Sequence, residues 1–275
     1  MSNRSCLLYL LGALLLIGAV FYGVTRYVWT RIEGTETGLE ATLDGWEQSL
    51  GEPLWEDIQS NHPLIQDEPA RLALDRMLYR LCAPNDIDTA GLHRHLIQNP
   101  EVNAFALPGR RLVVQSGLIQ SAHGPDEVAG VLAHELAHAE RGHVRRKILK
   151  EAGISLVIAW ISGNLGLENT GVHELVRILS STAFDRNYES EADRMAVLYL
   201  QKAGVNPDGF AVFMDRLATT EKNNPTPPEW LSTHPASPKR AIQIRQLTEE
   251  SKARLSYTPS LSPSDWNALK QASQP

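Results

Sequence analysis

The chain has 275 residues, enough for one domain with its own core beside a terminal extension. A formal net charge of −6 disfavours nucleic acid as a partner. Two cysteines far apart, Cys6 and Cys82, exclude a disulfide framework and a cysteine-based zinc finger.

In chain order, the uncharged run from Ser5 to Thr25 comes first. Its length matches a bilayer core of about 30 Å, and Tyr22, Tyr27 and Trp29 follow where interfacial rings belong. Residues 1–30 are therefore expected to be a transmembrane anchor, and the lipid bilayer a partner. Residues 31–65 read as a linker and first helix. Residues 66–256 read as the main domain and 257–275 as a loosely ordered tail.

Within the domain, Asp67 caps a helix that carries Leu72, Leu74, Leu78 and Leu81. Ile87 to Gln98 is expected to be another helix. Val102–Ala106 and Leu112–Gln115, joined through Leu107-Pro-Gly-Arg, predict a β-hairpin. Pro125 opens a long helix running to about Lys150, with Asp126 and Glu127 in its first turn. Gly153 to Leu167 is uncharged but short for a span; it reads as buried, or as a segment dipping into a membrane or covering the site. Further helices follow over 172–204, 207–222 and 237–255. The fold class is mainly α with a small β-sheet (α+β).

Residues 134–138 read His-Glu-Leu-Ala-His. On a helix His134 and His138 share one face, one turn apart, and can reach one Zn²⁺. Glu135 beside them is placed to take a proton from water activated by the metal. A catalytic zinc needs a third protein ligand and an open position. Asn187-Tyr-Glu-Ser-Glu-Ala-Asp193 offers two candidates. Glu189 and Asp193 share a helix face, which favours Glu189 as ligand and Asp193 as its support; Glu191 is the alternative. His143, about 140° round a continuous helix from His138, reads as a surface or helix-end histidine rather than a ligand.

His134–His138, the Glu-x-x-Ala-Asp run at 189–193, and Asn103-Ala-Phe-Ala-Leu-Pro-Gly109 before Ser116-Gly-Leu-Ile119 together resemble the HtpX and CAAX prenyl protease family of zinc peptidases, gluzincins by ligand set. The likeness is nearest to the single-anchor or periplasmic BepA-like branch. It implies a zincin-like domain holding one Zn²⁺, with Glu189 as third ligand and Asp193 as proton donor. It also implies a substrate cleft lined by Asn103, Ala104 and Phe105, along which an extended peptide lies. His234 would approach the metal or stabilise the tetrahedral oxyanion; a plain loop histidine is the other reading. Arg110 departs from the family, whose relatives usually carry a second glycine there, and this puts the turn shape in question.

The expected function is a zinc-dependent endopeptidase acting on membrane-associated or misfolded envelope proteins. The expected location is single-pass in a bacterial inner membrane, with the catalytic domain in the periplasm. The rival is a membrane-tethered chaperone or assembly factor with a latent zinc site. Oligomeric state is not legible.

Overall fold

The computed structural model describes residues 36–153, 170–223, 228–235, 238–252 and 256–275. The chain divides into two compact units, Met1–Trp46 and Glu47–Pro275, and the second carries the sheet and the site.

Among the described residues the fold is mainly helical with one three-stranded sheet. Strands β1 (His93–Ile97), β2 (Ala104–Leu107) and β3 (Arg111–Gln115) lie in the order β1-β3-β2. β1 runs parallel to β3, and β2 pairs antiparallel with it. β3 is central and buried along its whole length, while β2 forms an edge. The predicted hairpin is thus present. Its three-residue tip holds Gly109 at φ 71° and Arg110 at φ 54°. Arg110 tolerates this left-handed conformation, at a cost of roughly 1–2 kcal/mol. Its guanidinium is tied down by Asp88 O at 2.7 Å and Glu140 Oε1 at 2.9 Å.

Alternation along β2 and β3 gives the sheet two distinct faces. Ala104, Ala106, Leu112 and Val114 lie on the face that packs against α4 (Pro125–Glu140). Phe105, Val113 and His95 lie on the other, toward α1 (Glu36–Asn61). There Trp55 stacks on His95 with ring centroids 3.6 Å apart. Burial, with Arg111 adding to it, pushes His95 down to about 4, so the ring stacks uncharged.

The helix α2 (Glu68–Cys82) starts as expected, with the Asp67 side chain accepting from Ala70 N–H at 2.9 Å. Two other expectations are corrected. The helix predicted over 87–98 is β1 instead, because pairing with β3 overrides local propensity. The tail is not loose among its described residues. It forms α11 (Pro263–Ala272), capped by Ser262 and packed on α2, with Asp265 paired to Arg76.

The membrane expectations are withdrawn. Among the described residues no helix is long and apolar enough to cross a membrane. The expected anchor at 1–30 falls outside the described residues, as does nearly all of the Gly153–Leu167 segment. The transmembrane helix, the bilayer as partner and the single-pass inner-membrane placement therefore have no structural support.

α4 is the axis of the unit, with every residue from Glu127 to His138 buried. Pro125 occupies its first turn, and Glu127 ties its start by accepting from His123 N–H at 2.9 Å and from Arg216. It packs against the sheet, α7 (Arg186–Lys202) and α8 (Asp208–Asn223). Gly130 permits the close approach of α8, since a Cβ there would lie 2.4 Å from Phe210 Cβ. Gly130→Ala is expected to destabilise the protein by roughly 1–3 kcal/mol through overpacking, read as a lower urea midpoint at unchanged slope.

Candidate metal centre and active site

α4 presents His134 and His138 to α7, which presents Glu189 back from its first turn. α7 is started by Asp185, whose side chain accepts from Asn187 N–H at 2.9 Å. The third contributor is the turn after the short helix α9 (Glu229–Thr233), where His234 enters. His134, His138, Glu189 and His234 are all buried, and their ligand atoms lie within 4.8 Å of one another.

The separations within this set are those of a metal site. His134 Nε2 lies 3.0 Å from His138 Nε2 and 3.2 Å from His234 Nδ1. Glu189 Oε1 lies 3.3 Å from His138 Nε2 and 2.9 Å from His234 Nδ1. Tetrahedral zinc with bonds of about 2.0–2.1 Å to N and O places neighbouring donors about 3.3 Å apart. Three imidazoles and a carboxylate also match the borderline ligand chemistry of that ion, so the residues fit it.

The electrostatics keep two of these groups in ligand form. Burial holds the His138 pKa well below the ordinary imidazole value, so its nitrogen stays unprotonated. Burial alone would raise the Glu189 pKa, but the charges of His234 and Arg240 and the bonds from His138 and His234 hold it well below the carboxylate range. For His134 burial opposes charge, yet Asp193 and Glu189 outweigh it and raise the pKa. Asp193 Oδ1 sits 3.0 Å from His134 Nδ1, though not lined up as a straight hydrogen bond. A proton drawn to Nδ1 leaves Nε2 as the metal-facing nitrogen.

Arg240 proves central to the site. Its Nε and Nη2 each donate to an Asp193 oxygen at 2.7 Å, and Nη1 lies 2.6 Å from Glu189 Oε2. One guanidinium from α10 (Pro238–Lys252) thus orients both acidic side chains. No local motif marks it, because it comes from a distant helix.

Glu135 is buried beside the cluster. Its Oε2 accepts from Ala106 N–H at 3.2 Å and its Oε1 from Trp230 Nε1 at 3.1 Å, with His234 Nε2 at 3.3 Å. The Ala106 contact also shows that the free edge of β2 opens on this carboxylate. Asn103, Ala104 and Phe105 lie at and before the start of that strand. Phe184, Phe210 and Trp230 surround the imidazoles, the first with its centroid 4.1 Å from that of His138. These walls are largely apolar, and an apolar surround strengthens charge interactions inside a site.

Glu191, the alternative ligand, lies outside the cluster. It pairs with Arg141 at 2.6 Å and approaches His143 Nε2 at 3.4 Å. His143 is no surface histidine: it is fully buried, with Nδ1 3.2 Å from His138 Nδ1. The expected helix to Lys150 breaks after Glu140, where Gly142 takes φ 65°, and α5 (His143–Ala152) restarts. The break cancels the 140° offset of a continuous helix and turns His143 back onto the ligand.

A model of Peptidase family M48 matches residues 70–248. The mitochondrial metalloendopeptidase OMA1 of Schizosaccharomyces pombe is 27% identical over 249 residues, which cover 90% of this chain and 73% of that protein. The beta-barrel assembly-enhancing protease of Escherichia coli is 28% identical over 229 residues, 79% of this chain and 46% of that protein. The putative beta-barrel assembly-enhancing protease of Vibrio cholerae is 30% identical over 228 residues, with shares of 79% and 47%. The chain spans about half the length of these two bacterial relatives.

His143→Ala is expected to weaken metal binding by roughly 10- to 100-fold, as loss of an outer partner of a ligand histidine does. Competition with a chromogenic chelator measures this, and an unchanged circular dichroism spectrum separates it from unfolding.

Proposed function

The chain belongs to peptidase family M48, and we propose that it is a zinc-dependent endopeptidase in which Glu135 is the general base. The carrying observation is the convergence of His134, His138 and Glu189 from two helices, with the Glu135 carboxyl one residue from the first. His134, His138 and Glu189 would hold the ion. When bound, zinc supplies Lewis acidity that polarises a carbonyl and lowers the pKa of water.

The remaining chemistry belongs to the chain. Glu135 takes the proton of the attacking water on a carboxylate oxygen and passes it to the leaving amine. Asp193 and Arg240 hold His134 and Glu189 in place, and Asp193 is the second candidate for delivering a proton. The substrate lies extended along the outer edge of β2, at Ala104 and Phe105, with Asn103 at its entry. The proposed substrates are misfolded or unassembled proteins, which present such extended segments. The relatives named for beta-barrel assembly make envelope proteins the first class to test.

The base is tested by casein hydrolysis with the zinc-loaded protein. Glu135→Gln is expected to lower the rate by at least roughly 100-fold with metal content unchanged. Equal rates in the two proteins would sink the peptidase reading.

One observation favours a closed state of the same site. His234 supplies a fourth donor, and a zinc site closed by four protein donors has no position for water. In this reading His234 must withdraw before substrate enters, and the protein rests latent. His234→Ala is then expected to raise casein hydrolysis severalfold while weakening zinc retention. A fall in rate instead would assign His234 to stabilising the oxyanion.

A further inference from the structure

Lys147 is a buried cation that the proposed chemistry leaves unused. It lies on α5, which packs on α6 (Thr170–Ser181). A helix ends in carbonyls that have no partner within it, and the negative end of its dipole lies there. The Lys147 ammonium meets that end of α6. Nζ donates to Leu179 O at 3.1 Å and to Thr182 O at 2.6 Å. It also stands over the Phe184 ring, 4.1 Å from the centroid. Two carbonyls and one aromatic face thus receive an ammonium that has three protons to give. Burial draws the Lys147 pKa down to about 8, against the charges of Glu135 on α4, Glu189 on α7 and Glu151 on its own helix. The side chain is therefore mostly charged at pH 7.

The segment gripped in this way runs on to the metal centre. Phe184 N–H donates to Thr233 O at 3.0 Å, and Thr233 directly precedes His234. The Phe184 ring stacks on the His234 imidazole, with the planes 20° apart and the centroids 5.2 Å apart. The same ring also packs on His138.

The two histidines differ in their other supports. His138 belongs to the long helix α4 and has His143 against its outer nitrogen. His234 lies just past the five-residue α9, at φ −127° and ψ 75°, outside helical geometry. Its position depends more on what packs against it.

We propose that Lys147 is a positioning residue of the metal centre: by fastening the 179–184 segment it holds Phe184, and through Phe184 it holds His234 among the donors. His234 enters here as the fourth donor of the closed state, and the role of Lys147 rests on that reading. Removing the amine takes a charged donor from the Leu179 and Thr182 carbonyls and the cation from the Phe184 ring. The segment then loosens, and His234 is the donor that loosens with it.

A double-mutant cycle at pH 7 tests this, read as zinc retention against a chromogenic chelator. Lys147→Met keeps an unbranched apolar stem and removes the charge. With His234 in place it is expected to weaken zinc retention by roughly tenfold. In the His234→Ala background it is expected to change retention by less than about twofold, because the donor it acts through is gone. A lysine that merely stabilised the fold would weaken both backgrounds alike. Equal weakening in both, or none in the presence of His234, overturns the proposal. Should Lys147→Met fold poorly by circular dichroism, Phe184→Leu interrupts the same path without touching the ammonium. The same dependence on His234 is expected of it, and its absence overturns the proposal equally. His234→Ala alone separates the two readings. If it weakens zinc retention while Lys147→Met does not, the positioning role fails and the fourth donor stands. If it leaves retention unchanged, the fourth-donor reading fails and the positioning role falls with it.

Discussion

The Glu189 carboxylate, buried between three imidazoles and the Arg240 guanidinium, is the contact on which the rest of the site depends. An ionised carboxylate taken out of water costs several kcal/mol unless its partners compensate it. Here the partners come from α4, the turn after α9, and α10, so the compensation exists only when these elements pack together. The same contacts align the imidazoles for an ion. Folding of the unit and assembly of the metal centre are therefore one event, which explains why α4 and α7 sit at the middle of the fold rather than at its surface.

Around that centre, support is arranged in chains of polar contacts that fix ring orientation. Arg240 and Asp193 act on His134, and Glu191 and His143 act on His138. Each ligand imidazole thus has a partner on the nitrogen turned away from the centre, the usual means of setting tautomer and angle. Glu135 is held differently. It is pinned by a strand N–H and an indole N–H, which tie its carboxylate to the edge of β2.

The two faces of the small sheet differ in side-chain size. The face of small side chains, Ala104 and Ala106, lets α4 approach closely and brings Glu135 to the edge. The opposite face has larger and polar side chains, Phe105, Asn103 and Gln115, and a cavity beside them. Among the described residues β2 has no strand partner on its outer side, where Ala106 N–H meets Glu135.

Much of this was legible from residues alone. The spacing of His134 and His138, the shared face of Glu189 and Asp193, and the Pro-Gly hairpin are short-range features set by helical and strand periodicity. The choice of Glu189 over Glu191 followed from the same periodicity, and the coordinates place Glu189 in the cluster. Tertiary structure decided what periodicity cannot reach. It set the strand at 93–97, whose identity depends on a partner eighteen residues later in register with it. It set the break at Gly142, which returned His143 to the ligand, and the tail helix, which forms against α2. It brought Arg240 and His234 into the site across long chain separations. These placements follow from burial and charge pairing between distant segments, and no local pattern of side chains encodes such pairing.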